Sequence, residues 1–154
     1  MKRKSISPLG LDPKGVGPRI IGFAMPFIIA GIVLRVCWPA YTFIPIFDKS
    51  YLRIIGLVLL IIGSVAWLTA MNQFAIGFSK GVLIANGIFG ISRNPIYVSW
   101  ALFILPGLFL LLNNYWFFLA AIFMFIAIFL FLKDEERVML ETFGREFELY
   151  SQKV

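Results

Sequence analysis

The stretch Tyr115 to Leu132, YWFFLAAIFMFIAIFLFL, contains no charged residue, and its reading decides the fold. A hydrocarbon core about 30 Å thick is crossed by about 20 residues of helix, and only a helix or a closed barrel satisfies its own backbone hydrogen bonds there. Three more apolar runs lie upstream, Ile20 to Trp38, Tyr51 to Met71 and Ile96 to Leu112. The whole chain is 60% hydrophobic and 14% charged, against roughly 45–50% and about 25% for soluble domains. The expected fold is an all-α membrane protein with about four transmembrane helices and a C-terminal amphipathic helix. One domain over 1–154 is expected: a basic arm over 1–19, the four helices over 20–132 and the tail helix over 133–154.

Composition removes several chemistries. With no histidine and a single cysteine, Cys37, the chain cannot build a Ser-His-Asp triad, a His-paired thiol, a Cys/His zinc site or an internal disulfide, and no metal is expected. Cys37 sits within an apolar run and reads as a small buried residue. The net charge of +6 is split between the N-terminus and the edges of apolar segments, without the aromatic-interleaved basic stripe that nucleic acid requires. It fits the positive-inside pattern instead. Lys2, Arg3, Lys4, Lys14 and Arg19 mark a basic arm in which Pro8, Pro13 and Pro18 oppose helix, followed by a retained first span too long for a signal peptide. Both termini and the Asn72 to Asn94 connection are therefore expected on the cytoplasmic side of the cell's inner membrane, despite Lys49 and Arg53 at the opposite face.

Local patterns add packing. Gly56, Gly63 and Ala70 recur at seven-residue spacing and predict a face where a neighbouring backbone approaches closely. Only Asn113 and Asn114 separate the third and fourth runs, which predicts a tight antiparallel hairpin. Pro26 and Pro106 predict kinks, Arg35 is placed to snorkel, and Trp38, Tyr41, Tyr51, Tyr115 and Trp116 fall at span boundaries. In the tail, Leu140, Phe143, Phe147, Tyr150 and Val154 recur every three or four residues, with Gly144 a point of weakness.

Polar residues gather in two segments that this topology puts on one side. In Lys80 to Tyr97, Asn94 and Pro95 read as the N-cap and first position of the third helix, which sets Arg93 beside a positive helix end. That combination suits a carboxylate or phosphate, and Gly81, Gly87 and Gly90 would let backbone approach a ligand. In Lys133 to Arg137, the residues Asp134, Glu135 and Glu136 either face water or hold a cation. Together the clusters suit a zwitterionic ligand.

The same residues resemble the isoprenylcysteine carboxyl methyltransferase and phospholipid methyltransferase group of membrane enzymes. That group's first motif reads here as Leu83, Ile84, Gly87, Ile88, Phe89, then Arg93, Asn94, Pro95, Ile96, Tyr97. Its second reads as Glu135, Glu136, then Phe143, Gly144, Arg145, Glu146, Phe147, Glu148, Leu149, Tyr150. The resemblance covers Lys80 to Val154. It implies the cofactor S-adenosyl-L-methionine, with Leu83, Ile84 and Gly87 along the nucleoside and Arg93, Asn94, Tyr97, Glu135 and Glu136 on the methionine and ribose parts. Arg93 and Glu136 are the residues implied for catalysis. Asn94 stands where the group has histidine, and an amide cannot carry a proton near neutral pH.

Methyl transfer from a sulfonium has a neutral leaving group, so it needs alignment and dryness more than acid catalysis. The expectation is transfer to a lipophilic acceptor at the cytoplasmic face, an isoprenylcysteine-type carboxylate or similar anionic group, which needs no base. The alternatives are a phospholipid amine N-methyltransferase and a non-catalytic membrane subunit. A nicotinamide-dependent sterol-type reductase would need more basic residues, and a transporter would need a charge at mid-membrane.

Overall fold

The computed structural model describes residues 15–43 and 49–154. The expected basic arm lies almost wholly outside the described residues. Among the described residues five helices longer than one turn follow in order: α1 Gly17–Cys37, α2 Lys49–Lys80, α3 Pro95–Leu112, α4 Tyr115–Phe143 and α5 Arg145–Lys153. The first four are long and apolar enough to cross a membrane, and no strand occurs among the described residues. Val36, Tyr51 and Phe129 are 77%, 71% and 67% exposed on the outside of the bundle. Apolar exposure on that scale calls for a bilayer as the surrounding solvent. Cys37 is exposed too, because its position in an apolar run faces outward rather than into the core.

Several boundaries differ from the hydropathy reading. Pro18 opens α1 instead of opposing it, since its missing amide costs nothing in a first turn. Helix α2 continues past Met71 to Lys80, where Gly81 takes φ +66°. There the Val82 N–H donates to the Gly77 carbonyl at 3.1 Å and the Gly81 N–H to Phe78 at 3.3 Å, which closes the helix with a Schellman motif. Asn72 and Gln73 end the apolar span but not the helix. Helix α4 likewise runs through Asp134, Glu135 and Glu136, so these acids lie within it and escape the negative end of its dipole. The tail is therefore not one helix over 133–154. It breaks at Gly144, whose φ +51° and ψ −126° suit only glycine, and restarts as α5.

Helix α1 packs chiefly on α4 and α2 chiefly on α3, around a core of Ile20, Ala24, Leu105, Phe117, Ala120 and Met124. Ser99–Ile104 in α3 is wound as a π-helix just ahead of Pro106, and widening the turn relieves the clash a proline ring makes with the carbonyl four residues back. At the hairpin Asn113 adopts φ +46° and Asn114 is fully buried. The Asn114 Nδ2 donates to the Gly31 carbonyl of α1 at 2.8 Å, its Oδ1 accepts from the Trp116 N–H at 3.2 Å, and the Tyr115 N–H donates to the Thr42 carbonyl.

The small-residue seam lies where expected. A Cβ at Gly56 would stand 2.6 Å from the Leu111 amide nitrogen, and one at Gly63 would stand 2.7 Å from Phe103 Cβ. Gly22 has nothing within 4 Å. Gly56→Ala is expected to destabilise by about 1–3 kcal/mol through overpacking, read as a lowered thermal midpoint in detergent. Gly22→Ala is expected to leave the midpoint unchanged or raise it.

Candidate functional site

Both polar clusters meet at one end of the bundle, where α1 begins, α2 ends, α3 begins and the acidic part of α4 passes. Arg93 Nη1 lies 3.0 Å from Glu136 Oε1, with both side chains about a third exposed (34% and 29%). That oxygen is itself buried and receives no well-aligned hydrogen bond, so the contact is an ion pair whose N–H groups do not point at it. One residue along, the Tyr97 hydroxyl donates to Glu135 Oε2 at 3.2 Å. The backbone entering α1 lies against the same carboxylate: a Cβ at Gly15 would stand 3.2 Å from Glu135 Oε1, and one at Gly17 would stand 3.4 Å from the Tyr97 hydroxyl oxygen. Glu135 thus faces the positive end of α1.

The segment 81–94 is held from two sides. Ile84 packs on α2 at Gly77, and Gly87, at φ +62°, lies directly under the Gln73 side chain, leaving no room for a Cβ. From the other side the buried Tyr150 hydroxyl of α5 donates to the Phe89 carbonyl at 2.7 Å. Burial raises the Tyr150 phenol above its ordinary pKa, and the positive charge of Arg93 works against that shift.

Of the residues singled out from sequence, Arg93 joins Glu136, Tyr97 joins Glu135, and Gly87 meets α2. Ile84 and Leu83 are half-buried, with Ile84 turned to α2. Asn94 stands at the N-cap position of α3 but its side chain forms no capping bond; its N–H donates to Ser92 Oγ at 3.3 Å. Lys133, Asp134 and Arg137 are exposed, and Asp134 pairs with Arg19 at 3.4 Å in open surroundings. Gln73 and the docking role of Tyr150 were not foreseen. Gln73 sits at the edge of an apolar run, where sequence offers only a span boundary, and Tyr150 is legible in sequence as part of an apolar face and of the second motif, neither of which shows where its hydroxyl docks.

The residues present fit a small zwitterion bearing hydroxyl groups. Glu136 Oε1 and Gln73 Oε1 are buried acceptors without donors, of the kind an ammonium or ribose hydroxyl satisfies. A cleft of about 170 Å³ near the start of α3 is walled by Ala66, Ile88, Ile91, Val98 and Phe103, with Pro95. Its lining is apolar, and Arg93 and Glu136 do not form part of it.

Tyr150→Phe should leave the Phe89 carbonyl without its donor at a cost of about 1–3 kcal/mol, seen as faster amide exchange in 145–154 and 81–94. Because the phenol's pKa is raised in the folded state, its contribution is complete at neutral pH and is lost as pH rises beyond the ordinary tyrosine range. The phenylalanine variant should lack that alkaline transition.

Comparison with known families finds one model, described as phospholipid methyltransferase, that matches residues 51–146. No curated protein and no solved structure matches the chain.

Proposed function

Because the chain belongs to the phospholipid methyltransferase family, as the match over well more than half its length shows, we propose that it uses S-adenosyl-L-methionine to methylate the amine of a membrane lipid. The family establishes methyl transfer to lipid-type substrates; the donor and acceptor named here go further. The observation that carries the reading is the convergence of Arg93–Glu136 and Tyr97–Glu135 at one end of the bundle, where Glu136 Oε1 is buried without an aligned hydrogen-bond donor.

Glu136 and Gln73 offer acceptors for the ammonium and hydroxyl groups of the donor molecule, and Arg93 offers a cation for its carboxylate. Gly87 and the half-buried Leu83 and Ile84 give a close backbone edge for the nucleoside, with Asn94 and Tyr97 alongside. When bound, S-adenosyl-L-methionine supplies a sulfonium-borne methyl whose carbon–sulfur electrons leave with sulfur, so no acid is needed. The chain's own work is then to align the acceptor, exclude water and deal with the acceptor's proton.

That last task separates the acceptors. An anionic acceptor would need a cation to orient it, and in this reading Arg93 is taken by the donor molecule's carboxylate. An amine must lose a proton, and Glu135, half-buried and oriented by the Tyr97 hydroxyl, is a carboxylate placed to accept it. This favours a phospholipid amine over the isoprenylcysteine-type carboxylate expected from the lack of histidine. The apolar cleft beside Pro95 suits a hydrocarbon chain entering from the bilayer. We infer from the distribution of basic residues that the 81–94 segment and α5 face the cytoplasm.

Arg93→Ala and Glu136→Ala are each expected to weaken S-adenosylhomocysteine binding by tenfold or more, about 1.4 kcal/mol, measured by calorimetry on the folded variants. No heat and no thermal shift for the wild-type chain at millimolar ligand would overturn the cofactor assignment. With labelled methyl donor and membrane lipids, label should appear in amine head groups, and Glu135→Gln should lower turnover more than cofactor affinity. Label in a prenylated cysteine peptide instead would restore the carboxylate acceptor.

A further inference from the structure

The opposite end of the bundle holds a second feature that methyl transfer does not use. A cleft of about 180 Å³ opens between the last turn of α1, the beginning of α2 and the Asn113 turn. Arg35 and Arg53 both line it, with Leu52, Leu110 and Leu112 completing an apolar floor. Among the described residues no Asp or Glu contributes to its walls, and neither guanidinium has an ion-pair or hydrogen-bond partner.

The two arginines differ in how their helices treat them. Arg35 occupies the last turn of α1, where a cation complements the negative helix end. Arg53 comes just after the start of α2, where the helix end is positive and a cation is disfavoured. Two like charges share one small cleft, one of them against its helix dipole, and the positive-inside pattern gives no reason for either at this face. An anion between them would remove both conflicts.

Depth identifies the kind of anion. Trp38, Tyr41 and Tyr51 are exposed at this end, at 58%, 65% and 71%, where interfacial aromatics mark the head-group level. Arginine binds phosphate oxygens through two parallel N–H donors, and its stem lies readily along hydrocarbon. We propose that the Arg35–Arg53 cleft binds the phosphate of an anionic phospholipid of that leaflet, whose acyl chain lies over Leu52, Leu110 and Leu112. The lipid is distinct from the methyl acceptor, since it sits at the other membrane face, and its binding does not depend on the catalytic reading.

Native mass spectrometry of the full chain in detergent tests this with phosphatidylglycerol, phosphatidylcholine and glycerol phosphate as probes. Phosphatidylglycerol should bind about tenfold more tightly than phosphatidylcholine, and Arg35→Gln with Arg53→Gln should remove about tenfold of that affinity. The variant's thermal midpoint without added lipid should not fall. If the double variant does not fold, Arg53→Gln alone, at an exposed position, carries the test in the same direction. Equal retention of phosphatidylglycerol by a folded variant, no preference over phosphatidylcholine, or equally tight binding of glycerol phosphate would each overturn the assignment.

Discussion

The fully buried Asn114 side chain holds the arrangement on which the site depends, donating to the Gly31 carbonyl and accepting from the Trp116 amide. A polar side chain buried in an apolar bundle is costly unless its hydrogen bonds are made, so this one specifies a single register. It ties the α3–α4 hairpin to α1. Because Arg93 and Glu136 lie nearly equal numbers of residues from that turn, an antiparallel hairpin returns them to the same height. The ion pair between them follows from a contact at the far end of the bundle.

The second constraint is backbone proximity. The Gly56 and Gly63 face draws α2 against α3, and Gly77 and Gly87 continue that closeness beyond the apolar core, where Ile84 and Gln73 pin the segment 81–94. Association of helices in lipid gains little from apolar burial, since lipid tails are as apolar as leucine, and close packing takes its place. Helix α5 completes the enclosure through Tyr150. Beyond the glycine break it docks through the buried side chains of Phe147 and Tyr150 and the Tyr150 hydrogen bond.

Charge is distributed between the two ends in different states. At the site end each buried carboxylate has a partner, Glu136 with Arg93 and Glu135 with Tyr97, and the start of α1 adds its dipole. At the other end Arg35 and Arg53 share a cleft without a counter-charge among the described residues of its walls. A membrane bundle exposes each end to a different interface. Neutralised pairs suit the proposed zwitterion site, and open arginines suit the proposed contact with anionic head groups.

Sequence alone determined the spans, the hairpin, the glycine seam and the meeting of two polar clusters. Those features follow from composition and residue counting along helices of fixed rise, which is local information. It also carried the resemblance that the family match supports. What it could not determine was where helices end when polar residues continue them, as past Met71 and through Asp134 to Glu136, because hydropathy measures the solvent and not the hydrogen-bond ladder. The partner choices were decided only by tertiary structure: Arg93 takes Glu136 rather than leaving it to Lys133 or Arg137, Tyr97 holds Glu135, and Gln73 lies over Gly87. Each joins residues distant in sequence, through distances that depend on how closely the backbones pack.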